Sequence, residues 1–160
     1  VRDSVSYEGQ AAIELEWLAT SLPPDEAYPF ALIDGPASPL QRPFVVDTRP
    51  LIHAVAVDVR RGVPGARIAR RFHSTVVELI GTMCARIREA TQIEAVVLSG
   101  GVFMNVLLTQ EASAHLTNAG FRVHRHRLTP PNDGGLSLGQ LALAAAAGSA
   151  GVTRPPMGGG

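Results

Sequence analysis

Residues 96–105 read VVLSGGVFMN and residues 129–140 read TPPNDGGLSLGQ, and these two stretches decide the fold. The apolar run Val96-Val97-Leu98 stops at Ser99-Gly100-Gly101, and an amphipathic segment opens near Asn105, which reads as strand, glycine turn and helix. Adjacent glycines give up packing and chain entropy, as suits a tight turn or a close approach to a ligand. Backbone N–H groups exposed there, backed by a helix N-terminus, can seat an anion or a nucleotide. The same order then recurs. Phe121 to His124 can form a strand, Pro130-Pro131 enforces an extended approach, and Asn132-Asp133-Gly134-Gly135 leads into an Ala/Leu-rich helix ending near Ala147. Parallel strands present their C-terminal ends together, so both turns are expected on one side of one sheet.

The bulk properties bound the answer. A chain of 160 residues with 46% apolar content can hold one domain with a real core. A formal net charge of zero gives no electrostatic reason to expect nucleic acid or an anionic membrane as partner. The apolar runs fall far short of a bilayer span and no basic, apolar leader precedes Asp3, so a soluble, cytoplasmic protein is expected. Cys84 has no second cysteine to pair with. All 14 cationic side chains counted as Lys+Arg are arginine, which excludes a phosphate-loop lysine, a Schiff-base lysine and a lysine general base within this sequence. The start at Val1 and the ending Gly158-Gly159-Gly160 suggest a segment of a longer protein, with residues 151–160 as a flexible Gly/Pro tail.

Between these landmarks the chain reads in order. Ile13, Leu15, Trp17, Leu18 and Leu22 partly fit a helix that Pro23-Pro24 ends. Tyr28 to Ile33 reads as a strand, Asp34-Gly35-Pro36 as its turn and the residues through Pro43 as a loop, with Phe44 to Asp47 extended again. Thr48-Arg49-Pro50 opens a helix through Arg61 that Gly62 ends. Ile68, Phe72, Val76, Ile80, Met83 and Ile87 then recur at helical spacing, predicting a long buried helix from Ala66 to Ala90 with Arg67, Arg70 and Arg71 on a solvated face. His73 reads as a packed, hydrogen-bonded core histidine, and Cys84 as a small buried hydrophobe rather than a nucleophile.

SGGVFMN and PPNDGGLSLGQ, with SYEGQAAIELE upstream at residues 6–16, resemble the C-terminal domain of the hydrogenase-maturation carbamoyltransferases of the HypF type. That family is similar in turn to tRNA threonylcarbamoyl transferases and antibiotic O-carbamoyltransferases. The resemblance runs from Ser6 to about Ala147 and implies an α/β fold, the second half of an actin/sugar-kinase-like (ribonuclease H-like) architecture, with a mixed sheet flanked by helices. Residues 1–150 would be the second lobe of the carbamoyl-transfer domain. The implied cofactors are ATP, as a carbamoyl-adenylate intermediate, and a divalent metal. The implied partners are a HypE-type acceptor protein, the missing N-terminal half of the same domain, and carbamoyl phosphate as donor to the full-length protein.

Several side chains carry two readings each. Glu14 and Glu16 are by default solvated helix charges, but the resemblance matches Glu14 to an acid that accepts hydrogen bonds from the nucleotide ribose, with Gly9 and Gln10 lining the turn before it. Ser99, Gly100 and Gly101 would wrap the nucleotide. Asn105 is either a helix N-cap or, by resemblance, a contact to nucleotide or acyl group. Asp133 is either a helix cap or, by resemblance, a metal ligand. The family's other metal ligands are an H-x-x-x-H pair, and none of His53, His73, His115, His124 and His126 has that spacing. His124 and His126 share one side of an extended segment, a weak metal signal. Three function classes follow: carbamoyl transfer to a HypE-type cysteine, transfer to a tRNA or antibiotic acceptor on the same fold, or a non-catalytic structural or interaction piece.

Overall fold

The computed structural model describes residues 4–35 and 44–150. The expected tail at 151–160 and most of the loop through Pro43 lie outside the described residues. The elements run α1 (Gln10–Thr20), β1 (Ala31–Asp34), β2 (Phe44–Asp47), α2 (Arg49–Arg60), α3 (Gly65–Thr91), β3 (Ala95–Leu98), a 3₁₀ turn at Gly101–Met104, α4 (Val106–Asn118), β4 (Arg122–Arg125), a second 3₁₀ turn at Asp133–Gly135 and α5 (Leu136–Ala150). Among the described residues no helix is long and apolar enough to cross a membrane.

The expected α/β character is present, and among the described residues the strands pair as one antiparallel and one parallel two-stranded sheet. β1 and β2 pair antiparallel, with Leu32 opposite Val46, and β3 and β4 pair parallel, with Val96 opposite Val123 and Leu98 opposite Arg125. The parallel pair needs a crossover helix, and α4 supplies it.

The spine is α3. Its fully buried line is Ala69, His73, Val77 and Gly81, spaced four apart so that they share one face. The expected stripe is buried at Ile68, half-buried from Phe72 to Met83 and exposed at Ile87, because α1 and α4 cover the adjacent face instead. At Gly81 a Cβ would stand 2.2 Å from His115 Nε2, so glycine is what lets α3 and α4 approach closely. Leu98, Ala112, Leu116 and Phe121 form the core between α4 and the parallel strands, and Ile80, Cys84, Val96, Phe103 and Val123 pack against it. Cys84 is half-buried and burial pushes its thiol pKa up, which suits a packing residue and not an activated nucleophile. Arg88 closes this core, with its guanidinium 4.1 Å from the Phe121 ring centroid.

The start of α3 departs from expectation. Arg67, Arg70 and Arg71 do not share a solvated face, because the segment between α1 and β1 folds over them. Arg67 pairs with Asp25 and remains half exposed. Arg71 bridges Asp25 and Asp58. Arg70, 1% exposed, donates to the Pro23 carbonyl and to Glu111 Oε2 at 2.5 Å, and its Nη1 has no partner. Tyr28 joins the same network: its N–H donates to Thr75 Oγ1 and its hydroxyl to Asp58 Oδ2. Burial, then the Asp58 hydrogen bond, holds the Tyr28 hydroxyl up at about 12.

Two predictions follow from this charged layer. Glu111→Ala leaves the Arg70 guanidinium buried without its counter-ion and should cost on the order of 3 kcal/mol, whereas Arg70→Met with Glu111→Leu should cost far less; urea unfolding of each protein checks this. A hydrogen bond from Arg67, then one from the Glu26 N–H, holds Asp25 at about 2, and the Tyr28 hydroxyl holds Asp58 below its ordinary value. Lowered folded values mean that this stabilisation is present above the unfolded carboxylate value of about 3.9 and is lost as pH falls toward about 2. Thermal melts should therefore show a steep loss in that window, shallower in Asp25→Asn with Asp58→Asn.

Candidate functional site

The parallel register fixes the centre of the site. Leu98 and Arg125 are paired, so the residues that follow them, Ser99 and His126, emerge together at the C-terminal edge. Ser99 Oγ lies 3.0 Å from His126 Nε2, and His126 Nδ1 lies 3.2 Å from Thr129 Oγ1, so the histidine ties the two chain exits together. Gly100, at φ 103, turns the chain in a region closed to most side chains, and its N–H donates to the Pro131 carbonyl at 2.8 Å. The two glycine turns thus touch through their backbones. Gly101 and Val102 begin the first 3₁₀ turn, and their N–H groups have no partner among the described residues.

Asn105 caps α4 and does more. Its Oδ1 accepts from the Leu108 N–H at 2.8 Å, so the other side-chain atom facing His73 Nε2 at 2.9 Å is the amide nitrogen, a donor. His73 Nδ1 lies 2.8 Å from the Ala69 carbonyl, which can only accept. The proton is therefore on Nδ1, and Nε2 accepts from Asn105. His73, 3% exposed, fixes which way the Asn105 amide points, a role the sequence signal of a helical Phe-His pair does not reveal. The second amide proton and the second lone pair of Asn105 remain available.

A carboxylate from α1 completes the same corner, and it is Glu16. Its Oε1 accepts from the Val106 and Leu107 N–H groups at 2.7 and 3.1 Å, satisfying the open start of α4. The default reading of Glu16 as a solvated charge is corrected by this cap, which spans ninety positions of sequence and has no local signature. Glu14 lies two residues earlier in α1, about half a turn round the helix. It accepts from Gln10 Nε2 at 3.1 Å and lines a cavity of about 630 Å³ with Tyr7, Ile13, Trp17 and Leu18. Gln10 is buried and its Oε1 accepts from the Ser6 N–H, while Gly9, at φ 80, opens the helix. The link from α1 to the glycine turn's helix runs through Glu16.

Asp133 is not the cap of its turn. Asn132 takes that role, with its Oδ1 accepting from the Gly134 N–H, because the asparagine precedes the turn and the aspartate is its first residue. The Asp133 carboxylate is exposed and has no partner among the described residues. Among those residues no group of three His, Cys, Asp or Glu side chains is placed to hold a metal ion, His124 and His126 included. Asp133 could give one ligand, and these residues do not by themselves make a metal centre.

Residues 1–140 match the family described as "Carbamoyltransferase, Kae1-like Domain, second subdomain". The chain belongs to this HypF carbamoyltransferase family. It is 37% identical over 139 residues to the carbamoyltransferase HypF of Synechocystis sp., covering 87% of this chain and 17% of that protein. It is also 37% identical over 145 residues to HypF of Rhizobium leguminosarum bv. viciae, covering 90% of this chain and 17% of that one. The crystal structure of full-length HypF in the phosphate- and nucleotide-bound form superposes with a TM-score of 0.82 at 35% identity, over 91% of this chain and 18% of that one. HypF of T. kodakarensis, at 21% identity and a TM-score of 0.68, shares the fold. The chain thus spans less than a fifth of the length of these HypF relatives. Its α/β fold is that of part of a Kae1-like domain.

The Asn105 geometry separates two losses. Asn105→Asp keeps the oxygen that caps α4 but removes the donor to His73, whereas Asn105→Ala removes both and should cost about 1 kcal/mol more of stability than the aspartate variant, as read by denaturant unfolding.

Proposed function

We propose that this chain is the second lobe of an ATP-dependent carbamoyl-transfer domain, passing a carbamoyl group from carbamoyl-adenylate to a cysteine thiol of a HypE-type acceptor during assembly of the cyanide ligands of a nickel-iron hydrogenase. The observation that carries it is the junction of the two glycine turns at Gly100 and Pro131, with two unpartnered N–H groups beside it and a half-used Asn105 amide at its edge, in a member of the HypF family. Ser99, Gly100 and Gly101 bring backbone against the nucleotide, and Asn105 offers one donor and one acceptor to nucleotide or acyl group. Glu14, with Gly9 and Gln10 setting its helix, accepts from the ribose hydroxyls, as a carboxylate suits a vicinal diol. Carbamoyl phosphate and ATP enter as substrates of the longer protein.

Acyl transfer of this kind asks the protein for orientation, donors at the carbonyl and leaving phosphate, and exclusion of water. A divalent metal would add charge stabilisation at the phosphate, with Asp133 as one ligand and the rest from the first half of the domain. That half is also the partner best suited to the apolar surface left open here. Trp17 is 78% exposed, Val97 on the free edge of β3 is 65% exposed, and Leu136, Leu138, Leu141 and Leu143 of α5 are all exposed.

The test uses the intact parent protein. Asp133→Ala should lower bound metal and carbamoyl transfer while leaving carbamoyl-adenylate formation largely intact. Unchanged metal content and transfer would remove Asp133 from the site.

A further inference from the structure

A second site lies beside the core, between α4 and β4. The chain from Arg122 to Arg127 carries three arginines and two histidines, and among the described residues no carboxylate pairs with any of the three arginines. The nearby carboxylate of α4, Glu111, is committed to Arg70. Charge on an outer strand discourages strand pairing, but that needs no cavity, and here there is one. Arg125, Arg127 and His124 line a cavity of about 480 Å³ whose opposite wall is Gln110, Ser113 and Thr117 of α4, successive positions on one helical face. Arg125 and Arg127 also line a neighbouring cavity of about 380 Å³ that reaches Phe103 and Pro131, so the same two side chains stand between this wall and the glycine turns.

We propose that the cavity between α4 and β4 is an anion site that binds a phosphate or pyrophosphate group, held by Arg125 and Arg127. Two guanidinium forks without internal counter-ions match phosphate oxygens, and the Thr117 hydroxyl and the Gln110 amide add donors on the facing wall, where the Ser113 hydroxyl already donates to the Thr109 carbonyl. The anion is either free phosphate or the phosphate of a bound nucleotide, and the chemistry of recognition is the same for both. The site does not depend on the carbamoyl-transfer reading, since no residue of its arginine pair belongs to the proposed nucleotide turn.

Inorganic pyrophosphate is titrated calorimetrically into the intact protein and into R125A/R127A. Loss of about tenfold or more in affinity in the double variant, with an unchanged melting temperature as expected for two exposed side chains, supports the site. Competition by AMP then identifies the nucleotide's own phosphate as the anion, and simultaneous binding identifies a separate one. Equal affinity in both proteins, or no binding of pyrophosphate by the wild type, overturns the proposal. Binding of poly-glutamate without pyrophosphate overturns it as well, in favour of an acidic protein surface.

Discussion

The start of α4 is the point on which the rest of the site depends. The N–H groups of residues 105–108 open there without intrahelical carbonyls, as at any helix start, and protein atoms meet all four, the Asn105 N–H through the Val102 carbonyl. Glu16 from α1 takes those of Val106 and Leu107, and Asn105 takes that of Leu108 while donating to His73 of α3. Three helices far apart in sequence are therefore locked to one turn. The glycine turn immediately before it inherits that rigidity, and its backbone becomes a fixed surface rather than a loop.

A second, charged layer serves the scaffold on the far side of α3. Asp25, Asp58, Tyr28 and Arg71 bind the α1–β1 connection and α2 to the helix through polar contacts where apolar area is scarce. Arg70 extends the layer inward to α4 through Glu111. Removing one member of such a set is worse than removing a pair, because the survivor keeps its desolvation penalty. The large apolar faces of α1 and α5 are left open, and the HypF relatives, more than five times as long as this chain, have ample residues outside it to cover them.

Helices and turns were legible in the sequence because their signals are local. Glycine pairs, prolines and apolar spacing placed the strand-turn-helix units and the bounds of α3 to within a residue or two, and the quoted motifs placed the chain in its family. What stayed hidden was non-local. Nothing near Glu16 announces a helix ninety positions away, and an arginine such as Arg70 reads as solvated until its neighbours are known. The burial of α3 shifted off the apolar stripe because two helices, not one, compete for its sides. Asn105 was open between cap and ligand contact; it caps, and half of its hydrogen-bonding capacity remains.

The most direct test of the nucleotide seat is an amide chemical-shift titration of the protein with AMP. The seat predicts the largest shifts at Gly101, Val102 and the Asn105 side-chain amide, with smaller ones at Gly134 and Gly135. Shifts centred elsewhere, or none at saturating AMP in a folded protein, would contradict it.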